Sequence, residues 1–198
     1  MTHNEVRVLQ KLEHPNIIGY RDSFVDSQER LCILMEWASG GDLAKKIESR
    51  RREGKRFEEN EILDIMRQLV AALNYCHHDL KLLHRDLKPA NVFLGANGEV
   101  KLGDFGISKI MAVSCQLNQT QCGTPLYMSP EQARGASYSR LADVWAIGCI
   151  LYEMLTLRAP WSAQMGANAP GGISGLLRRI STDRLHVDTR GLRAKGYS

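Results

Sequence analysis

Apolar residues recur every three positions at Val6, Leu9 and Leu12, and His14-Pro15 breaks the run, which predicts an opening helix. Ile17–Val25 and Leu31–Trp37 read as strands about the polar turn Asp26–Arg30. Gly40-Gly41-Asp42 opens a short helix that ends in a charged loop. A long helix follows, because Ile62, Ile65, Met66, Leu69, Leu73 and Cys76 fall at helical spacing and form one stripe for burial. Short strands are expected at Leu82-Leu83, Val92–Leu94 and Val100–Leu102. Asn97-Gly98 supplies a tight turn between the last two, since both residue types accept positive φ. Residues 106–130 have no strong period and are rich in Ser, Thr, Gln and Gly; long irregular stretches of this kind are usually functional. A second buried helix spans about 140–157, with Val144, Ile147, Gly148, Leu151, Met154 and Leu155 on one face and Ile150 widening it. Residues 162–175 read as a loop and Leu176–Ile180 as a short helix. A helix and strands come first and mostly helices after, so the expected class is α+β with segregated parts.

Composition narrows the class. At 198 residues the chain has room for one ordinary domain, and its 43% hydrophobic and 24% charged residues exclude a disordered or collagen-like chain. The net charge of +4 is spread along the sequence and does not by itself point to nucleic acid. No apolar run approaches the roughly 18 residues of a membrane span, and Met1-Thr2-His3-Asn4-Glu5 has neither the basic nor the apolar region of a signal peptide. No membrane partner is expected. Cys32, Cys76, Cys115, Cys122 and Cys149 are odd in number and contain no C-x-x-C pair. That fits a reducing intracellular compartment, cytoplasmic first. His77-His78 and His84 raise the question of a metal. With no Cys or carboxylate at ligand spacing, they read instead as a polar helix end running into a loop.

The chemistry concentrates in His84-Arg85-Asp86-Leu87-Lys88-Pro89-Ala90-Asn91, set between two apolar segments. Asp104-Phe105-Gly106 follows, its Asp 18 residues after Asp86, and Ser129-Pro130-Glu131 comes later. Order and spacing match the signature set of protein kinases. Phosphoryl transfer needs a placed hydroxyl and neutralised phosphate charge more than it needs covalent help. Asp86 is the acceptor for the hydroxyl proton, and Lys88 meets negative charge on the transferring group. Asn91 and Asp104 offer the oxygens that Mg²⁺ takes. Any one Asp here is ordinarily a turn residue or helix cap; the ordered set is what points to catalysis.

The resemblance runs from about Glu5 to Ile180 and implies an incomplete two-lobed kinase fold. Residues 1–37 would be a remnant of the small lobe, and 38–198 a large lobe lacking its last helices. His14-Pro15-Asn16-Ile17-Ile18, Met35-Glu36-Trp37, Gly40-Gly41-Asp42-Leu43, His84 through Leu94, Gly103 through Gly106 and Gly123 through Glu131 most resemble the NIMA-related serine/threonine kinases. That resemblance implies ATP and Mg²⁺ as cofactors and protein substrates with Ser or Thr acceptors. It makes Met35 the gatekeeper, gives Glu36 and Ala38 as backbone partners of adenine, and makes Phe93 the floor of the adenine pocket. Glu5 falls at the helix C glutamate that pairs with a phosphate-binding lysine. Leu9, Tyr20, His84 and Phe105 align with the stacked residues that link the lobes, although core packing explains Leu9, Tyr20 and Phe93 equally. Thr124 would hydrogen-bond Asp86 and Lys88, and with Lys88 it implies serine/threonine acceptors. Asp143 resembles the carboxylate that holds the catalytic-loop backbone; an acid at a helix N-terminus is its simpler reading. Thr120 occupies the activation-loop phosphorylation position, served by an upstream kinase or by autophosphorylation, with Arg85 and Lys109 as receiving cations.

Two further expectations follow. The family's Gly-rich loop and strand lysine would precede Glu5, where only Met1–Asn4 stand, and the family's last helices would follow Ser198. The expected chain is therefore a partial kinase domain, poorly soluble and inactive by itself, with an unpaired strand edge carrying Ile33, Leu34 and Met35. The alternative is a non-catalytic interaction or regulatory module. A third reading, nucleic-acid binding through Arg50-Arg51-Arg52-Glu53-Gly54-Lys55-Arg56, carries little weight, because no aromatics interleave and acids lie on both sides.

Overall fold

The computed structural model describes residues 3–105, 125–162 and 171–198, with backbone only for 3–5. The expected first helix is α1 (His3–Leu9), prolonged by a turn that buries Leu12. The expected strand pair is present but shorter at its outer ends: β1 (Tyr20–Val25) pairs antiparallel with β2 (Leu31–Met35). The turn between them is held by Asp26, whose carboxylate accepts the backbone N–H groups of Gln28 and Arg30 at 2.9 Å each. Ile17 does not join β1. It bridges in parallel to Leu102 instead, so the predicted strand splits at Ile18-Gly19.

α2 (Leu43–Glu53) and α3 (Glu59–His78) follow. The predicted α3 stripe is buried at Ile62, Ile65, Leu69, Leu73 and Cys76, and Met66 is half-buried. Leu82-Leu83 is not a strand. The Leu82 N–H turns back to the Cys76 carbonyl at 2.8 Å, so the pair closes the end of α3 rather than entering a ladder. A 3₁₀ turn (Pro89–Asn91) leads into β3 (Val92–Leu94), which pairs antiparallel with β4 (Val100–Leu102) around the Asn97-Gly98 turn, Gly98 at φ +86°.

Beyond the described gap come α4 (Pro130–Ala133), α5 (Arg140–Thr156), α6 (Gly172–Thr182) and α7 (Thr189–Ala194). α5 buries Ala142, Asp143, Ala146, Ile147, Cys149, Ile150 and Met154. Val144, expected on the buried face, is 55% exposed, and Gly148 is exposed too. The buried ridge joins the expected Ile147, Ile150 and Met154 to the small residues Ala142, Ala146 and Cys149, which a pattern weighted toward Val and Leu overlooks. α6 starts four residues earlier than its apolar core, Leu176 and Ile180, would indicate.

The chain forms two compact units. The first holds residues 1–44 and 67–116 and contains α1, both strand pairs and the catalytic-loop sequence. The second holds residues 45–66 and 117–198. In the second, Trp161, Leu176 and Ile180 make a core joined by Leu126, Ala133 and Leu185. Ser129, fully buried, caps α4 reciprocally with Gln132, and the Arg134 guanidinium ties α4 to the Ser181 carbonyl at 2.9 Å. Three of the five cations of the Arg50–Arg56 run are engaged by acids: Lys55 meets Glu53 at 2.8 Å, Arg50 meets Glu61 at 3.2 Å, and Arg51 pairs with Glu48.

Among the described residues no helix is long and apolar enough to cross a membrane, and no group of His, Cys, Asp and Glu is arranged to hold a metal. Cys32, Cys76 and Cys149 are unbridged thiols.

Candidate active site

The loop from His84 to Asn91 is fixed from inside. His84 is fully buried. Its Nδ1 accepts the Asp86 N–H at 3.3 Å, so its Nε2 carries the proton and donates to the Gly103 carbonyl at 3.0 Å. The imidazole thus joins the residue before Asp104 to the loop that carries Asp86. Phe105 is also buried, with its ring 4.7 Å from that of His84. Of the four residues expected to stack between lobes, these two are in ring contact. Leu9 is buried, and Tyr20 is half-buried with its hydroxyl on Ser23 Oγ at 2.8 Å.

Asp86 gathers the loop's polar groups. Lys88 Nζ lies 2.8 Å from Asp86 Oδ2. Asn91 Nδ2 donates to the same oxygen at 3.1 Å and to the Asp86 carbonyl at 2.8 Å. Both partners of that amide nitrogen are acceptors, which settles which end is nitrogen. The remaining polar atom of the amide, Oδ1, is a hard oxygen of the type Mg²⁺ takes.

The hairpin supplies the rest. Val92 pairs with Leu102, and the Gly103 N–H continues the ladder to the Asn91 carbonyl at 3.0 Å. Asp104 therefore follows directly on the residue opposite Asn91. Its side chain is exposed and its backbone sits at φ +48°; Arg85 sits at φ +70°. Non-glycine residues in this left-handed region are costly and concentrate at functional sites. The donor set of Asn91 and Asp104, one amide oxygen and one carboxylate, fits a divalent hard cation.

Of the residues expected at an adenine pocket, Met35 and Ala38 are half-buried. The Glu36 N–H donates to the Gly19 carbonyl at 2.7 Å. The chain then locks onto β3: Gly40 N–H donates to Leu94 O at 2.8 Å, and Leu94 N–H donates to Gly41 O at 2.9 Å. A Cβ at Gly40 would stand 2.7 Å from the Gly95 carbonyl oxygen, so this approach requires glycine. Phe93 lies against the Gly103 backbone, where a Cβ would stand 2.9 Å from its ring. Glu5 lies in α1. Thr120, Lys109 and Thr124, together with Cys115 and Cys122, lie outside the described residues.

Two arrangements had no sequence signal. The Glu36 carboxylate pairs with Lys101 at 2.6 Å, across 65 residues of sequence. In the second unit the Tyr127 hydroxyl donates to Glu153 Oε2 at 2.6 Å. Burial there pushes the Tyr127 phenol and the Glu153 carboxyl up, and the Cys149 thiol up to about 12. Asp143 is fully buried, and its carboxylate accepts from the Tyr138 hydroxyl.

The family model for the protein kinase domain matches residues 1–184, and the chain belongs to that family. Within it, the curated relatives are NIMA-related serine/threonine kinases. The chain is 42% identical over 207 aligned positions to serine/threonine-protein kinase Nek2 of Homo sapiens, covering 100% of this chain and 46% of that protein. It is 47% identical over 163 positions to the probable serine/threonine-protein kinase nek2 of Dictyostelium discoideum, covering 81% of this chain and 39% of that protein. It is 43% identical over 162 positions to serine/threonine-protein kinase Nek1 of Mus musculus, covering 82% of this chain and 13% of that protein. The chain thus spans less than half the length of these relatives. Protein kinases as a family use ATP and Mg²⁺.

Proposed function

We propose that this chain carries the phosphoryl-transfer site of a protein serine/threonine kinase, which moves the γ-phosphoryl group of ATP to Ser or Thr hydroxyls of protein substrates. The observation that carries the reading is the convergence on Asn91: its amide holds Asp86, and its carbonyl holds Gly103, the residue before Asp104. Asp86 accepts the proton of the attacking hydroxyl as its oxygen bonds to phosphorus and the bond to the ADP oxygen breaks. Lys88, already beside Asp86, offsets negative charge on the transferring group. Asn91 and Asp104 would hold Mg²⁺, which supplies charge neutralisation on the phosphates when bound. Glu36, Ala38, Met35 and Phe93 form the adenine end.

Asp86→Ala tests the reading in the protein that carries this chain. Transfer to a Ser/Thr protein substrate is expected to fall by roughly 10²–10⁴, the usual contribution of a positioned base, while Mg-ATP binding persists. Unchanged transfer overturns it.

A further inference from the structure

Three of the four polar groups of Glu36 are already committed. Its N–H donates to the Gly19 carbonyl at 2.7 Å, its Oε2 accepts the Gly19 N–H at 3.1 Å, and its Oε1 meets Lys101 Nζ at 2.6 Å. The two charged side chains are only 24% and 19% exposed, so this pair is not one of the solvent-screened surface bridges that contribute little. What remains is the Glu36 carbonyl, the group the nucleotide reading gives to adenine.

Lys101 stands on β4, opposite Phe93 and three residues before Asp104. The strand is held without its ammonium. Ile18 N–H donates to Leu102 O at 2.9 Å, Leu102 N–H donates to Asn16 O at 2.8 Å, and the β3–β4 ladder pairs Val92 with Leu102 and Leu94 with Val100. The Lys101 head group is therefore surplus to the local fold, and its position against the Glu36 carboxylate calls for another account.

We propose that the Glu36–Lys101 ion pair is a positioning link for the nucleotide. It fixes the Glu36 carbonyl, at the adenine end, against the strand that leads into Asp104, at the phosphate end. One ligand must meet both ends at once, so a fixed separation between them on the protein lowers the ordering cost of binding. Phe93 lies on the strand between, with its ring against Gly103. The inference rests on the nucleotide reading of the site and adds to it two side chains that touch neither base nor phosphate.

Calorimetric titration of the protein that carries this chain with Mg-ADP tests the link, using the parent, Glu36→Gln, Lys101→Met, the double variant and Lys101→Arg. Each single substitution that breaks the pair is expected to weaken binding by roughly three- to tenfold, within the range of coupling between contacting residues. The double variant is expected to bind no more weakly than the worse single one. Lys101→Arg is expected to retain the parent affinity, and every variant is titrated at a temperature where its thermal transition without nucleotide shows it folded. Singles within about twofold of the parent, or a double variant showing the product of both losses, overturn the link. A Lys101→Met chain without a folded transition overturns it as well, because the ammonium would then be structural. Failure of the parent to bind Mg-ADP is a different result: it removes the nucleotide reading itself, and the link with it.

Discussion

The side-chain amide of Asn91 holds Asp86 twice, through the carboxylate Oδ2 at 3.1 Å and the main-chain carbonyl at 2.8 Å. Asn91 is itself only 4% exposed. The residue expected to face a cation is thus also the brace of the residue expected to take the proton. Asn91→Ala should therefore do two things. It leaves the Asp86 carbonyl short of a donor, at a cost of about 1–3 kcal/mol in urea unfolding. It also weakens the dependence of nucleotide affinity on Mg²⁺. A variant with parent stability would show that the brace is not needed.

Gly40 is fixed by backbone rather than by a movable side chain. A methyl group there would stand 2.7 Å from Gly95 O and 2.8 Å from Leu94 O. Gly40→Ala should destabilise the chain by about 1–3 kcal/mol, the usual cost of overpacking. Gly41→Ala meets no neighbour but sits at φ +75°, so its smaller loss would come from backbone strain alone. Denaturant midpoints of the two variants separate these causes; equal losses would contradict the assignment.

Glu153 gives a pH signature in the second unit. Burial raises its carboxyl above the ordinary 4.5, against the opposing pull of the Tyr127 hydroxyl and Arg51. Between 4.5 and the raised value, the folded chain holds a proton that the unfolded chain has released. Stability contributed by this group therefore falls as pH rises through that window, and below 4.5 the difference vanishes. Glu153→Gln should flatten this fall, because the amide buries no charge and still accepts from Tyr127. Parallel stability curves for parent and variant would contradict the shift.

Regulation through the segment that follows Phe105 is open to a direct test. We propose that phosphate on Thr120 is received by Arg85 and Lys109. Thr120→Ala should then lower the activity of the complete protein, and Arg85→Ala should remove the gain that phosphorylation brings. Unchanged activity in Thr120→Ala would dismiss the proposal.

Much of this was legible in the sequence, for definable reasons. The α3 stripe has a strong helical period, and the Val92–Leu94 and Val100–Leu102 hairpin is marked by its Asn-Gly turn. Leu82-Leu83 misled because two apolar residues carry no period, and their role is to close the end of α3. On α5 the expected Ile147, Ile150 and Met154 are buried, but Val144 and Gly148 are exposed because Ala142, Ala146 and Cys149 complete the ridge. α7 was missed because Gly191 interrupts a six-residue helix, although Asp188 caps it through the Gly191 N–H at 2.9 Å. At the site, motif spacing pointed to Asp86, Asn91 and Asp104. No local pattern could reveal the pairing of Glu36 with Lys101 or of Tyr127 with Glu153, since each joins residues that only the folded chain brings together.

In the proposed reading, Asn91 and Asp104 form one cation-assisted nucleotide site beside Asp86. Titrating the protein that carries this chain with ATP across a series of Mg²⁺ concentrations, in the parent and in Asp104→Ala, tests it most directly. The expected result is an affinity that rises with Mg²⁺ in the parent and no longer does so in Asp104→Ala. The same Mg²⁺ dependence in both chains would contradict it.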